Sequence, residues 1–365
     1  MKPRLALLAA LAISAVTASA QVSPAQIDSI FSPLKSTTAP GAAVLVVRNG
    51  RPVFRRGYGV TDLRTHHPLD AQTNFRLASF TKQFTAMCIM LLVHDGKLHY
   101  DDHLADIFPE FPAYGKPITV RNLLNHTGGL PDYEDLYAAQ YPNMPDEKIP
   151  QIHDSEVLKL LEQQTAPKFP AGSKWKYSNS GYVVLGLIVE KVSGKPFGEF
   201  LHERIFVPIK MTNTVAYEKG KNEVPHRAYG HTKEKDGWRE TDQSSTSATL
   251  GDGGIYSSID NLAKWDRALR DHTLLTEAEM QLALTAVQPT SGPAMDEHGN
   301  VSYGFGWFLD PYRGHKRMWH DGETMGFRTT IQRFPDDKLT IIVLANRTDI
   351  NPEELALKVA DLHLK

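Results

Sequence analysis

The chain has 365 residues, 41% of them hydrophobic, and its 40 Lys and Arg nearly balance 42 Asp and Glu for a formal net charge of −2. This composition fits a globular enzyme of one large or two interlocked domains, and its dispersed, balanced charges exclude a nucleic-acid-binding surface. A single cysteine, Cys88, excludes an intramolecular disulfide.

Lys2 and Arg4, an apolar run over 5–16, and Ala18-Ser-Ala20 before Gln21 read as a secretory signal peptide cleaved after Ala20. The run is shorter than the roughly 20 residues a membrane span needs. No later stretch reaches that length, and no cysteine follows the cleavage site to carry a lipid anchor. The expectation is an exported protein, periplasmic or secreted.

A short helix is expected over 25–34. Apolar runs at 42–48 and 51–57 flank Asn49-Gly50, the strongest short-range hairpin signal. The next stretch, Phe75-Arg-Leu-Ala-Ser79-Phe-Thr-Lys82, places a serine and a lysine at i and i+3 where an apolar helix begins. That helix carries Phe84, Met87, Ile89, Met90, Leu91 and Val93, and Gly96 supplies its stop. A hydroxyl is a poor nucleophile until a base adjoins it and something stabilises the developing oxyanion. Lys82, one turn on, serves as that base if burial keeps it partly neutral, and the free N–H groups of a helix start favour negative charge. The spacing alone is weak: Ser32-Pro-Leu-Lys35 repeats it, but runs into Ser36-Thr-Thr-Ala-Pro40 rather than an apolar helix.

Cys88, among Met87, Ile89 and Met90, reads as a buried core thiol. His94, His99 and His103 lie close to Asp101 and Asp102, but Asp95-Gly96 interrupts the helix and no His-Glu-x-x-His pattern occurs. The aspartates read as helix caps. Neither a metal nor a cofactor is called for.

Residues 104–170 read as irregular, mostly helical chain, with helices over 120–124 and 155–163. A turn at Pro170-Ala-Gly172 leads to Tyr177-Ser-Asn179, on the turn that opens a strongly apolar helix ending near Gly194. Residues 220–250 read as loop, Gly251-Asp-Gly-Gly254 as a tight turn, and 261–270 as a helix. Strands are expected at 303–309, 317–320, 327–334 and 339–345, and a final helix at 352–364. His320-Asp321-Gly322 falls at the end of the second of these strands, where a glycine lets a substrate approach the backbone closely. Tyr141-Pro-Asn143 and His126-Thr-Gly128 repeat the latter two spacings in the wrong context, the first in a proline-broken loop and the second ahead of both tyrosines.

Ser79-Phe-Thr-Lys82, Tyr177-Ser-Asn179 and His320-Asp-Gly322 together resemble the three motifs of the penicillin-recognising serine hydrolases. The branch is that of class C β-lactamases, secreted D-Ala-D-Ala carboxypeptidases, D-aminopeptidases and related esterases. The second and third motifs depart from the Ser-Asp-Asn and Lys-Thr-Gly of other relatives. Pro40-Gly-Ala-Ala-Val44, Leu123-Leu-Asn-His-Thr-Gly-Gly-Leu-Pro131, Gly251-Asp-Gly-Gly-Ile-Tyr-Ser257 and Tyr303-Gly-Phe-Gly-Trp307 are similar to further landmarks, so the likeness covers nearly all of the chain after residue 20.

The resemblance implies an α/β fold of the α+β kind, β-lactamase/transpeptidase-like. An antiparallel sheet flanked by helices would form from 21–78 and 240–365, with a mainly helical domain, 79–239, inserted into one catalytic unit spanning 21–365. It implies acylation of Ser79 by an amide, lactam or ester, then transfer to water. Lys82 and Tyr177 would handle the protons, with Lys82 favouring the tyrosine phenolate. Which of the two is the base stays open, since they titrate together.

By the same resemblance Asn179 binds the substrate's amide carbonyl and helps hold Lys82, and the backbone N–H groups of Ser79 and Glu323 form the oxyanion hole. His320 and Gly322 would line the substrate site. His320 stands where many relatives have lysine, which weakens the hold on a substrate carboxylate and suits a peptidase or esterase over a lactamase. The expected partner is a small-molecule or peptide substrate, a D-amino-acid peptide, β-lactam or ester. A penicillin-binding or sensing module that acylates slowly or not at all is the reading from another class. No Gly-x-Ser-x-Gly elbow supports an α/β-hydrolase.

Overall fold

The structure, a computed structural model, describes residues 22–364. The signal-peptide reading lies outside the described residues. Helix α1 (Pro24–Phe31) starts at Ser23, whose side chain accepts from the backbone of Gln26 while the Gln26 side chain accepts in return. Strands β1 (Ala42–Arg48) and β2 (Arg51–Tyr58) form the expected hairpin. Its turn has positive φ at both Asn49 (51°) and Gly50 (73°), the two-residue geometry that matches strand twist.

Helix α2 (Lys82–His94) follows strand β3 (Phe75–Arg76). Short helices α3 (Leu104–Ile107), α4 (Val120–Leu124), α5 (Tyr133–Ala138) and α6 (Asp154–Glu162) precede the long α7 (Asn179–Ser193) and α8 (Phe197–Leu201). Strand β4 (Val215–Ala216) precedes a hairpin of β5 (His231–Glu234) and β6 (Gly237–Glu240), then β7 (Ile255–Ser257). Helices α9 (Ile259–Arg270) and α10 (Glu277–Ala283) lead to the two-residue strands β8 (Met295–Asp296) and β9 (Gly299–Asn300). The chain closes with β10 (Met318–Thr324), β11 (Phe327–Phe334), β12 (Leu339–Ala345) and α11 (Pro352–His363).

The main sheet has five strands in the order β10-β11-β12-β1-β2, every pair antiparallel, so both ends of the chain build it. β1 is an unbroken apolar run because both its faces are covered. Ala43, Leu45 and Val47 enter the main core shared with α2, α7 and α9, while Ala42, Val44 and Val46 pack with residues of α1 and α11 on the other face. The five-stranded antiparallel sheet, covered on both faces and with a helical region beside it, has the architecture that the resemblance implies. Among the described residues no helix is long and apolar enough to cross a membrane.

Three local expectations change. Residues 303–309 form no strand: Gly304 N–H donates to the Trp307 carbonyl at 2.8 Å, and Tyr303 and Phe308 make only isolated bridges. The 220–250 stretch holds the β5–β6 hairpin, whose Trp238 ring lies under the Lys233 ammonium and the Arg347 guanidinium at 4.8 and 4.4 Å. β10 does not stop at His320 but runs through the motif to Thr324, because Asp321 to Thr324 keep their register with β11.

Candidate active site

The support for Ser79 begins two residues earlier. Leu77 donates its N–H to the Ile255 carbonyl and accepts from the Thr329 hydroxyl, both at 2.8 Å, which clamps the backbone between β7 and β11. The chain then turns through Ala78 at φ 51°, a left-handed conformation that a residue with a Cβ adopts at a cost. Ser79 therefore sits in a single 3-10 turn, Ala78–Thr81, ahead of α2 rather than in its first turn. The turn keeps Ser79 partly exposed, while Lys82, the first residue of α2, is wholly buried.

The Lys82 ammonium donates to Ser79 Oγ at 3.0 Å, to Asn179 Oδ1 at 2.7 Å and to the Asp252 carbonyl at 3.0 Å. Those bonds use all three of its donors. Asp252 reaches it because Gly251 lies flat against α7: a Cβ there would stand 2.3 Å from the Tyr182 carbonyl oxygen. Burial pushes the Lys82 pKa down to about 8, against the opposing pull of Asp252, Glu134 and Asp132.

The Tyr177 ring centre lies 4.9 Å from Lys82 Nζ. Burial holds its phenol well above the ordinary tyrosine range. Desolvation thus favours the neutral phenol over the phenolate that the resemblance associated with Lys82. Ser178 caps α7 by accepting from Gly181, which sets Tyr177 and Asn179 on either side of the helix start.

His320 is 2% exposed. Its Nδ1 lies 2.7 Å from the Asp321 carbonyl, which can only accept, so Nδ1 carries the proton. Nε2 then accepts from the Tyr303 hydroxyl at 3.1 Å. Burial, reinforced by Lys82, pushes His320 down to about 3, and the ring is neutral. Both nitrogens are thus engaged by the protein. Gly322 faces Leu77 rather than open cleft, since a Cβ would meet the Leu77 carbonyl oxygen at 2.0 Å.

β10 is an edge strand. Trp319 exchanges both its backbone bonds with Phe308, off the ladder, at 2.9 Å. By antiparallel alternation Glu323 turns its N–H to the same open edge. Its side chain is exposed and pairs with Arg328 at 2.6 Å.

Sequence reasoning set aside or overlooked four residues that the fold brings to this cluster. His126, set aside for its context, packs its ring 4.5 Å from Tyr177 and 4.6 Å from Tyr303, and its Nδ1 accepts from Ser178 N–H at 3.2 Å. Burial holds it well below the ordinary histidine range. Tyr303 buttresses His320, and the Asp252 carbonyl anchors Lys82. Glu134 Oε1 accepts from Asn179 Nδ2 at 3.1 Å. The segments holding His126, Asp252 and Tyr303 were legible as landmarks; Glu134 carried no signal. The histidines once weighed as metal ligands lie elsewhere, His94 bonded to Glu279 at 2.6 Å and His99 near Asp102.

A cavity of about 540 Å³ opens beside Tyr177, walled by Phe169, Trp175, Met295 and Phe308. A groove of similar size, about 530 Å³, runs past Asp266, Arg270, Arg333 and Lys338 and shares no residue with the cluster.

The family model described as Beta-lactamase matches residues 27–364. Penicillin-binding protein 4* of Bacillus subtilis (strain 168) is 31% identical over 349 residues, 92% of this chain and 74% of its own length. A D-aminopeptidase of Brucella canis is 28% identical over 336 residues, 89% of this chain and 60% of its own. The solved structure of an octameric penicillin-binding protein homologue from Pyrococcus abyssi matches with a TM-score of 0.77 at 26% identity, covering 93% of this chain and 76% of that one.

Proposed function

We propose that this chain, a serine hydrolase belonging to the beta-lactamase family, transfers the acyl group of an amide, lactam or ester to Ser79 and then to water. The observation that carries this reading is the bond set on Lys82, which reaches the nucleophile at 3.0 Å and Asn179 at 2.7 Å. In the neutral form that burial favours, Lys82 takes the Ser79 proton as Oγ attacks the carbonyl carbon. The neutral Tyr177 phenol donates its proton to the departing nitrogen or oxygen as the acyl bond breaks, and recovers one from Lys82. Water reverses the sequence. The N–H groups of Ser79 and Glu323 hold the oxyanion; losing one such donor typically costs about 10²–10³ in rate.

Short peptides or amides of D-amino acids are the favoured donors, in a D-Ala-D-Ala carboxypeptidase-like or aminopeptidase-like reaction, at an exported location. Support comes from the named relatives and from the neutral His320, a weak holder of a carboxylate. The same neutrality favours a small-ester esterase as the second reading.

The test is the intact mass of the protein after brief incubation with a penicillin, beside Ser79→Ala, with loss of the penicillin followed in the same tubes. An adduct or consumption in the wild type alone supports Ser79 as nucleophile; a persistent adduct favours a peptidase and rapid consumption a lactamase. With neither, lactam recognition is lost and esters and D-amino-acid amides become the substrates to try.

A further inference from the structure

The turn Gly251-Asp-Gly-Gly254 gives Lys82 its third acceptor, the Asp252 carbonyl at 3.0 Å. Most of the other polar groups of this turn are tied down from four directions. The carboxylate of Asp154, the first residue of α6, accepts from the Leu250 N–H at 3.1 Å and from the Gly251 N–H at 3.5 Å. The Gly251 carbonyl accepts from the hydroxyl of Thr85, on α2, at 2.6 Å. The Gly253 carbonyl accepts from Arg76 Nε, on β3, at 3.2 Å, and the Asp252 carboxylate from the hydroxyl of Tyr133, on α5, at 3.0 Å. With its neighbours bound in this way, the Asp252 carbonyl is held toward Lys82.

Asp154 carries no ion pair among the described residues. Burial and the Asp252 charge push it up to about 7, against the pull of the backbone N–H groups it accepts from. A carboxylate set there without a cation is costly, and what it supplies in return is acceptors for two consecutive N–H groups of the turn. It bonds to neither Ser79 nor Lys82.

We infer that Asp154 is a positioning residue for the acylation step: through Leu250 and Gly251 it holds the Asp252 carbonyl on Lys82, and so holds the base against Ser79 Oγ. The inference rests on the serine-hydrolase reading with Lys82 as its base. An acceptor on an ammonium favours the charged form, so withdrawing the carbonyl lowers the pH at which Lys82 becomes neutral. The charges that act on Lys82 are those of Asp252, Glu134 and Asp132. His126 and His320 face it as neutral rings, and the rings of Tyr177 and Tyr182 lie 4.9 and 5.5 Å away. Asp154 is not among those charges, so it acts on Lys82 through the turn.

The test follows acylation by p-nitrophenyl acetate against pH in wild type, Asp154→Ala, Asp154→Asn and Thr85→Val, with Ser79→Ala as the blank and thermal unfolding recorded for each. Asp154→Ala should lower the midpoint of the alkaline limb by about one pH unit, the scale of one hydrogen bond to a charged group. Asp154→Asn keeps an acceptor oxygen for both N–H groups without the charge, and should stay near the wild-type midpoint. Thr85→Val frees the Gly251 carbonyl from the other side and should shift the midpoint in the same direction as alanine. Where Asp154→Ala folds, its midpoint decides; where it does not, that of Thr85→Val does.

A deciding variant that melts earlier but keeps the wild-type midpoint, or moves it upward, would show that Asp154 only supports the fold and overturns the inference. So would an asparagine variant that shifts the midpoint as far as alanine does, since charge rather than the hydrogen bonds would then be responsible. A wild type that fails to acylate Ser79, or acylates it with no limb near pH 8, removes the serine-hydrolase reading or its lysine base and this inference with it. That result is seen in the wild type alone, which separates it from the others.

Discussion

A Cβ on Gly322 would stand 2.0 Å from the carbonyl oxygen of Leu77. The strand bearing the third motif is thus pressed against the residue two before Ser79, and that same carbonyl accepts from Thr329 at 2.8 Å. The two proposed oxyanion donors, the N–H groups of Ser79 and Glu323, each follow one side of this contact closely along the chain. Their separation is set by it.

Gly322→Ala should therefore damage both stability and rate. The added methyl would also meet Thr329 Oγ1 at 2.4 Å, and neither backbone can withdraw without breaking the sheet. Overpacking of this kind typically costs about 1–3 kcal/mol. Denaturant unfolding and acylation of p-nitrophenyl acetate should both register the change; an unaltered midpoint with full activity would refute the contact's importance.

The rate of acylation should rise with pH through about 8, the value to which burial lowers Lys82, because the neutral amine is the base. Stability follows the same group. A lysine lowered in the folded state binds fewer protons than the unfolded chain between pH 8 and its ordinary 10.5, so its contribution grows as pH rises through that window and is lost as pH falls through about 8. Lys82→Met should remove the kinetic limb and flatten this part of the stability profile relative to wild type.

Tyr177→Phe should fold normally, since its ring packing against His126 at 4.5 Å survives. Acylation by an amide should fall about 10²–10⁴-fold, the usual contribution of a positioned proton donor. Activated esters, whose leaving groups need no proton, should suffer less. Full amide activity in this variant, with some histidine indispensable instead, would replace the mechanism by a histidine-based one.

His320→Lys should shift selectivity toward substrates with a carboxylate on the leaving side. The wild-type ring is neutral and fully engaged by Asp321 and Tyr303. A lysine would place a charge there without those bonds. Measured kcat/KM for a D-Ala-D-Ala peptide against its C-terminal amide should change in favour of the acid; an unchanged ratio would detach position 320 from substrate recognition.

Much of this protein could be read from one dimension. The Asn49-Gly50 turn, the apolar run of β1 and the motifs at 79–82, 177–179 and 320–322 depend on local backbone preference, periodicity and resemblance, which a linear chain displays. The charge state of the site could not be so read. The acceptors on Lys82 come from positions 79, 179 and 252, and its lowered pKa exists only because the fold removes it from water. Nor does any spacing foretell that His320 would be shut between Asp321 and Tyr303, that Gly322 would serve the nucleophile's backbone, or that Glu134 would reach Asn179. Local conformation follows from neighbours in the chain, whereas desolvation and hydrogen-bond partnership follow from neighbours in space, which only the packed tertiary structure supplies.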